Sequence, residues 1–199
     1  ENKSNETKQL DLFAFIEFGM MEYLREISWV CYMKHQMSVY YLDDVNSLIF
    51  KYGVETQPKP EETPLVYFAS NHPLKGYDGD RDEFIGTYRS ESNPYVIDNG
   101  DCTNSTLYGG DPCGALQMEV SLEANEKKTI NVFLGTGLTE DEIKNSLIHC
   151  RKNDFVDKSK QELDKSWGNY LSGFHAVVPD KDAEREINIW NPYQSQRNF

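Results

Sequence analysis

The chain has 199 residues, with 20 basic and 33 acidic side chains and a formal net charge of −13. That balance disfavours a nucleic-acid groove or an anionic membrane surface as partner, and a 13% aromatic content argues against disorder despite a mean hydropathy of −0.67. A chain of this size is one generous domain or two small ones, and it buries about 70% of its unfolded surface, enough for a core without staples.

No stretch approaches the roughly 18 uninterrupted apolar residues of a spanning helix. Glu1 to Gln9 are polar and carry no signal-peptide core, so a cytoplasmic location is expected. Cysteines fall at 31, 102, 113 and 150 without any Cys-x-x-Cys pair, which excludes a zinc knuckle and a thioredoxin motif. Cys102 and Cys113 are spaced to close a loop, but reduced structural thiols are expected in a chain without an export signal. By the same reasoning the glycosylation sequons at Asn2, Asn5 and Asn104 are read as chance.

The first two thirds of the chain read as strands. Leu10, Leu12, Ala14, Ile16 and Phe18 share one face of an extended run. Phe13 and Phe15 lie opposite, so this strand is expected to be covered on both sides. Met37, Val39 and Tyr41, then Leu48, Phe50, Tyr52 and Val54, form two alternating runs joined by Asp43-Asp44-Val45-Asn46, a hairpin-type connection. Pro58, Pro60 and Pro64 mark an extended, exposed linker before a short strand from Leu65 to Ala69. Leu116, Met118, Val120 and Leu122 alternate cleanly, and Ile130, Val132 and Leu134 resume the pattern after the turn Ala124–Lys127. The expectation there is a β-hairpin, and for the whole region an antiparallel β-sandwich.

The period changes after Gly137. Thr139 and Glu142 fit a capping box, with Ile143, Leu147 and Cys150 on one helical face. A second helix carries Leu163, Trp167, Tyr170 and Phe174 as a stripe. Asp180 is placed to cap a third, with Ala183, Ile187 and Trp190 as its apolar face and Pro192 expected to kink or interrupt it. The pattern is still open at Gln196–Phe199, so a larger helical domain is expected beyond it.

The densest chemistry lies in Gly76–Arg89, where acids, arginines and tyrosines sit between glycines. Carboxylates and arginines can grip sugar hydroxyls by charge-assisted hydrogen bonds, and tyrosine faces suit the C–H side of a pyranose. The structural reading of the same residues is an Asp/Arg network that pins a surface loop. Asp80, Asp82 and Glu83 are too close in sequence to form the opposed carboxylates of a glycosidase. Asp78, Asp80 and Asp82 alternate as in a calcium loop, but Glu83 stands where the EF-hand needs glycine and Arg89 where it needs glutamate. Asn99–Gly114, polar and glycine-rich, lacks the Lys-Ser/Thr ending of a P-loop and reads as a structured loop capping the sandwich. His35, His72, His149 and His175 show no metal spacing, and His149 near a helix end reads as a dipole partner. No Gly-x-Ser-x-Gly elbow is present. Trp29, Trp167 and Trp190 read as core or interface residues rather than sugar platforms.

Several segments resemble a known family. Asp80-Arg81-Asp82-Glu83-Phe84-Ile85-Gly86, with Tyr88-Arg89 and Asn93-Pro94, is similar to a block in the N-terminal domain of glycoside hydrolase family 94, formerly glycosyltransferase family 36. This family holds the disaccharide and oligosaccharide phosphorylases acting on cellobiose, chitobiose and cellodextrins. Cys102, Asn104-Ser105 and Gly110–Leu116 are similar to the family's next block. Phe13–Phe18 resembles the preceding strand, and Ile187–Gln194 the opening of the catalytic barrel. The four blocks run in order across nearly the whole chain.

The resemblance implies a mainly β fold. Residues 1–137 would form part of an antiparallel β-supersandwich of galactose-mutarotase type, 138–178 a helical linker, and 179–199 the first helix of an (α/α)6 catalytic barrel. It implies phosphorolysis of a β-glucoside of cellobiose or cellodextrin type with inversion, giving α-glucose 1-phosphate, with inorganic phosphate as co-substrate and no other cofactor. The family's general acid and phosphate ligands lie beyond the Trp-Asn-x-Tyr-Gln block, so no catalytic residue and no metal ligand is assigned to this chain, which alone is expected to be inactive. The family commonly dimerises with the sandwich bordering the partner's active site, and Arg81, Asp82, Tyr88 and Arg89 are the candidates for that sugar-cleft or dimer border. The competing expectation is a stand-alone carbohydrate-binding or interaction module with a β-sandwich fold.

Overall fold

The computed structural model describes residues 1–20, 23–29, 34–53 and 63–197. Val54, the Pro58–Pro60 part of the expected linker, Cys31 and Asn198-Phe199 lie outside the described residues. Backbone contacts divide the chain into two units, Glu1–Arg151 and Lys152–Phe199.

The first unit is mainly β and antiparallel. One sheet orders β1 (Lys8–Ile16), β7 (Pro112–Leu122) and β5 (Gly76–Asp80) with β7 in the centre. The second sheet orders β6 (Leu107–Tyr108), β2 (Met37–Leu42), β3 (Ser47–Tyr52), β4 (Leu65–Ser70) and β8 (Val132–Gly137). A short helix, α1 (Tyr23–Ser28), stands between β1 and β2 in the chain. Between the sheets lies the central core, with Val39, Leu48, Phe50 and Phe68 from the larger sheet meeting Leu116 from β7. Gly114 permits the close approach. A Cβ there would stand 2.9 Å from Phe68 and 3.0 Å from both Ile16 and Phe50.

Helices cover both outer faces. Two short ones, α2 (Arg81–Ile85) and α3 (Tyr95–Asn99), lay Phe84, Ile85 and Val96 on the outer face of the small sheet. They meet Phe13 and Phe15 there, and the Phe15 and Phe84 rings stack at 5.0 Å. β1 is thus covered on both sides over Phe13–Ile16, as its double apolar pattern requires. Its first half is not: Leu10 and Leu12 remain 41% and 39% exposed. On the opposite outer face α4 (Glu140–Cys150) buries Ile143 and Leu147 completely against Val45, Ile49 and Tyr67. The Thr139 hydroxyl caps it by accepting from the Glu142 N–H at 3.2 Å. The Glu142 carboxylate reaches back at 2.7 Å to the N–H of Leu138, one residue ahead of the cap, a variant of the reciprocal box.

The hairpin expected across Ala124–Lys127 does not form. Its turn is present, with the Glu126 N–H donating to Glu123 O at 3.0 Å, but its arms part. Both edges of β7 are taken, by β1 along Lys8–Ile16 and by β5 along Gly76–Asp80. β8 crosses instead to the other sheet, where Leu65–Ser70 pairs it in full. Alternation identifies a strand but not its neighbour. The connection between β2 and β3 is as expected, a 3-10 turn over Asp43–Val45 closed by Asn46 in the left-handed region.

The second unit is helical. α5 (Phe155–Leu171) carries Leu163, Trp167 and Tyr170 of the expected stripe but ends before Phe174; Leu163 and Phe174 are 56% and 61% exposed, and none of the helix residues is buried. Trp167 meets Tyr170 and Tyr193 instead, with ring centres 5.8 and 5.4 Å apart. Asp180 caps α6 (Lys181–Arg185), accepting from Asp182 N–H at 2.9 Å and Ala183 N–H at 3.1 Å. Pro192 does not interrupt the helical run, which passes through a π turn over Glu186–Trp190 into α7 (Asn191–Arg197). The wider turn takes up the missing N–H and the ring clash that proline brings to a helix. Of the tryptophans read as core or interface, Trp29 and Trp190 are 64% and 49% exposed and so are not core, while Trp167 is half-buried.

Truncating Leu147 to alanine removes a fully buried side chain and is expected to cost about 2–5 kcal/mol. Leu163→Ala, at an exposed position, should stay within about 0.5 kcal/mol. Urea unfolding of the two variants gives the comparison directly.

Candidate functional site

The polar loop after Asn99 hangs on a buried carboxylate of β5. Asp78, on β5, is fully buried. One of its oxygens accepts from the backbone and hydroxyl of Thr103 at 3.1 and 2.6 Å, and from the backbone and hydroxyl of Ser105 at 3.0 and 2.8 Å. Beside it the equally buried Gln117 takes the Cys102 N–H at 2.8 Å and donates to Gly100 O at 2.6 Å. The polar stretch after Asn99 is therefore a structured loop hung on two buried side chains. It is not loop throughout, since Leu107–Tyr108 forms β6 against β2. Cys102 and Cys113 lie buried near Asp78 as free thiols, and burial pushes both well above the ordinary thiol range, which leaves them unreactive. Asn2 is no sugar acceptor either: its amide is buried and donates to Leu122 and Glu123.

The three alternating carboxylates of Gly76–Arg89 have separate duties. Asp78 is consumed by the loop. Asp80 caps α2 by accepting from the Asp82 N–H at 2.9 Å. Asp82 is exposed, and its backbone carbonyl closes the helix by accepting from Gly86. Among the described residues no group of three His, Cys, Asp or Glu side chains could hold a metal ion.

The four candidate residues divide in the same way. Arg81 opens α2, and its guanidinium donates to Glu17 at 2.6 Å and to Glu91 at 3.3 Å. These acids raise its pKa above the ordinary value. Arg89 lies beyond Gly86, ion-paired with Asp98 and 5.5 Å over the Tyr95 ring. Tyr88 stands between them, wholly exposed, in the left-handed region at φ 61°. Among the described residues no hydrogen bond, ion pair or ring contact joins any two of the four. The loop-pinning reading is thus the one seen in these residues. The arginines form the network that pins the surface, and Tyr88 is left as a free aromatic face.

Glu17, Glu91, Tyr95 and Asp98 are the partners that the sequence pattern did not mark. Glu17 carried one signal, being the acid directly after the apolar run Phe13–Ile16. Tyr88 is costly where it stands. A bulky residue in the left-handed region loses about 1–2 kcal/mol, and none of the described residues covers its ring in return.

No helix among the described residues is long and apolar enough to cross a membrane. Residues 1–153 match the supersandwich domain of glycosyl hydrolase family 94, and the chain belongs to that family. It is 27% identical over 199 residues to the N,N'-diacetylchitobiose phosphorylase of Vibrio furnissii, a match covering 98% of this chain and 24% of that protein. It is 26% identical over 149 residues to the 3-O-beta-D-glucopyranosyl-beta-D-glucuronide phosphorylase of Paenibacillus borealis, covering 73% of this chain and 19% of that protein. It is 30% identical over 145 residues to the cyclic beta-(1,2)-glucan synthase of Rhizobium meliloti (strain 1021), covering 71% of this chain and 5% of that protein. The chain thus spans about a quarter of the length of the Vibrio phosphorylase.

Asp78→Ala strands the buried donors of Thr103 and Ser105 and should cost about 3 kcal/mol, with amide exchange rising first at 100–106. Asp78→Asn keeps an accepting oxygen and should cost less. Tyr88→Gly should hold or raise the melting temperature, by up to about 1 kcal/mol of added stability, because it relieves the left-handed backbone and sacrifices no packing.

Proposed function

We propose that this chain is the supersandwich part of a glycoside phosphorylase, in which inorganic phosphate cleaves a β-linked disaccharide or short oligosaccharide with inversion to give an α-glycosyl phosphate. The observation that carries the reading is the match to a Vibrio phosphorylase across 98% of the chain. The sugars in the names of the relatives move the substrate from cellobiose or cellodextrin alone to the wider class of β-linked disaccharides, N-acetylated ones included.

In this reading the sandwich occupies 1–137 and the linker runs over 138–178, with α4 its first helix, laid on the larger sheet. Residues 179–199 then form the first helix of an (α/α)6 barrel, and that barrel supplies the general acid and the phosphate ligands. The protein works as a cytoplasmic homodimer. Arg81, Asp82, Tyr88 and Arg89 border the sugar end of the partner's cleft, where the exposed Tyr88 ring lies on the C–H face of a pyranose and Arg81 and Arg89 shape its support. The support for this is chemical: an aromatic face suits a neutral sugar, and this one has no packing role in the fold.

The test is phosphate-dependent release of a sugar 1-phosphate by the full-length protein, offered cellobiose, cellodextrins and N,N'-diacetylchitobiose in turn and followed by phosphorus NMR. Release of the α anomer from at least one of them is expected. Binding without phosphorolysis would instead favour a carbohydrate-binding module. In the active enzyme Tyr88→Ala should raise the oligosaccharide KM about five- to twenty-fold with little change in kcat. If Arg81→Ala and Tyr88→Ala leave both KM and dimerisation unchanged, the border assignment fails.

A further inference from the structure

Tyr88 is held in its costly position by its neighbours. The turn starts at Gly86, at φ 87°, where a Cβ would stand 2.8 Å from the Cβ of Tyr95. The Arg89 N–H then folds back to Gly86 O at 3.2 Å, and the Arg89 side chain leaves Tyr88 for α3. It lies over the Tyr95 ring, pairs with the Asp98 carboxylate and donates to Asn93 O at 3.4 Å. Beyond it Asn93 Oδ1 accepts from the Ser90 N–H at 3.2 Å and from the Ser90 hydroxyl at 3.1 Å. These anchors of the stretch 86–93 are all directed at the protein, while the Tyr88 ring is fully exposed.

We propose that Arg89, Tyr95 and Asp98 are positioning residues that act through Tyr88, holding its ring outward as the one sugar-facing surface of this turn. The inference rests on the proposed sugar contact of Tyr88 and corrects one part of the border assignment: Arg89 does not touch the sugar. Its charge is spent on Asp98 and Tyr95, and a guanidinium that turned to a substrate hydroxyl would release the turn that presents the ring. A planar guanidinium that lies over a ring while donating to both a carboxylate and a carbonyl is an arginine arrangement that lysine does not reproduce, so Arg89→Lys should behave as a partial loss.

Two measurements test this. In the full-length enzyme Asp98→Asn and Tyr95→Leu should each raise the disaccharide KM about five-fold, with kcat within about two-fold. In a Tyr88→Ala background neither should add anything, because residues that act through one another are not additive. An equal rise in both backgrounds overturns the proposal. The second measurement is amide exchange over 86–93. It should quicken in Asp98→Asn and stay unchanged in Tyr88→Ala, and unaltered exchange in Asp98→Asn overturns the clamp. If exchange quickens in Asp98→Asn while Tyr88→Ala leaves KM unchanged, the clamp is real but the sugar-facing role is lost. That outcome overturns the inference through the sugar contact it rests on, and so distinguishes the two failures.

Discussion

A buried carboxylate with no cation beside it among the described residues orders the loop that links the two sheets of the first unit. Asp78 is fully buried, and the groups around it are the N–H and O–H dipoles of Thr103 and Ser105. Removing such a charge from water costs several kcal/mol unless donors replace the lost hydration. The donors lie on a segment distant in sequence, so that segment must hold one conformation. Its backbone conforms: Gly79 N–H bonds to Ser105 O at 2.9 Å, and the pairing of β5 with β7 shifts register at that point. Two residues beyond Ser105 the same segment becomes β6 and adds to β2. One ordered loop thereby joins the small sheet, through Asp78 and Gln117, to the edge of the large one.

Much of this was legible where the physics is local. Alternation located β2, β3 and β7, because a strand with one apolar face shows a period of two, and a short apolar run located β4. Thr139, Glu142 and Asp180 gave their helix starts, because capping is decided within four residues. The short helices α2 and α3 were not legible. Five residues are too few to show a helical period, and both are held by burial of Phe84, Ile85 and Val96 beneath Phe13 and Phe15. The partner of β8 was illegible for a different reason. Nothing in Val132–Gly137 states that β7 has already found β1 and β5.

The candidate site divides along the same line. Residue types identified a segment whose chemistry suits a sugar, and in the structure one of its aromatic rings, Tyr88, is uncovered. What the types could not show is which charges were already engaged. Arg81 meets Glu17 across 64 residues of sequence, and Arg89 meets Asp98 on a helix that the pattern did not predict. An arginine read alone is a free donor. The same arginine beside an acid is a brace, and only the fold separates the two.

That distinction bears on the division of labour in the proposed reaction. The chain carries a net charge of −13, and the two arginines of this segment are neutralised by Glu17, Glu91 and Asp98. A phosphate ion approaching here would meet acids at the rim and no uncommitted guanidinium. A neutral sugar meets no such electrostatic penalty and gains an aromatic face. In the proposed reaction the segment would therefore suit the saccharide better than the anion, and phosphate recognition would fall to other residues. Under that proposal it is charge pairing, more than residue identity, that decides which of the two substrates this surface suits.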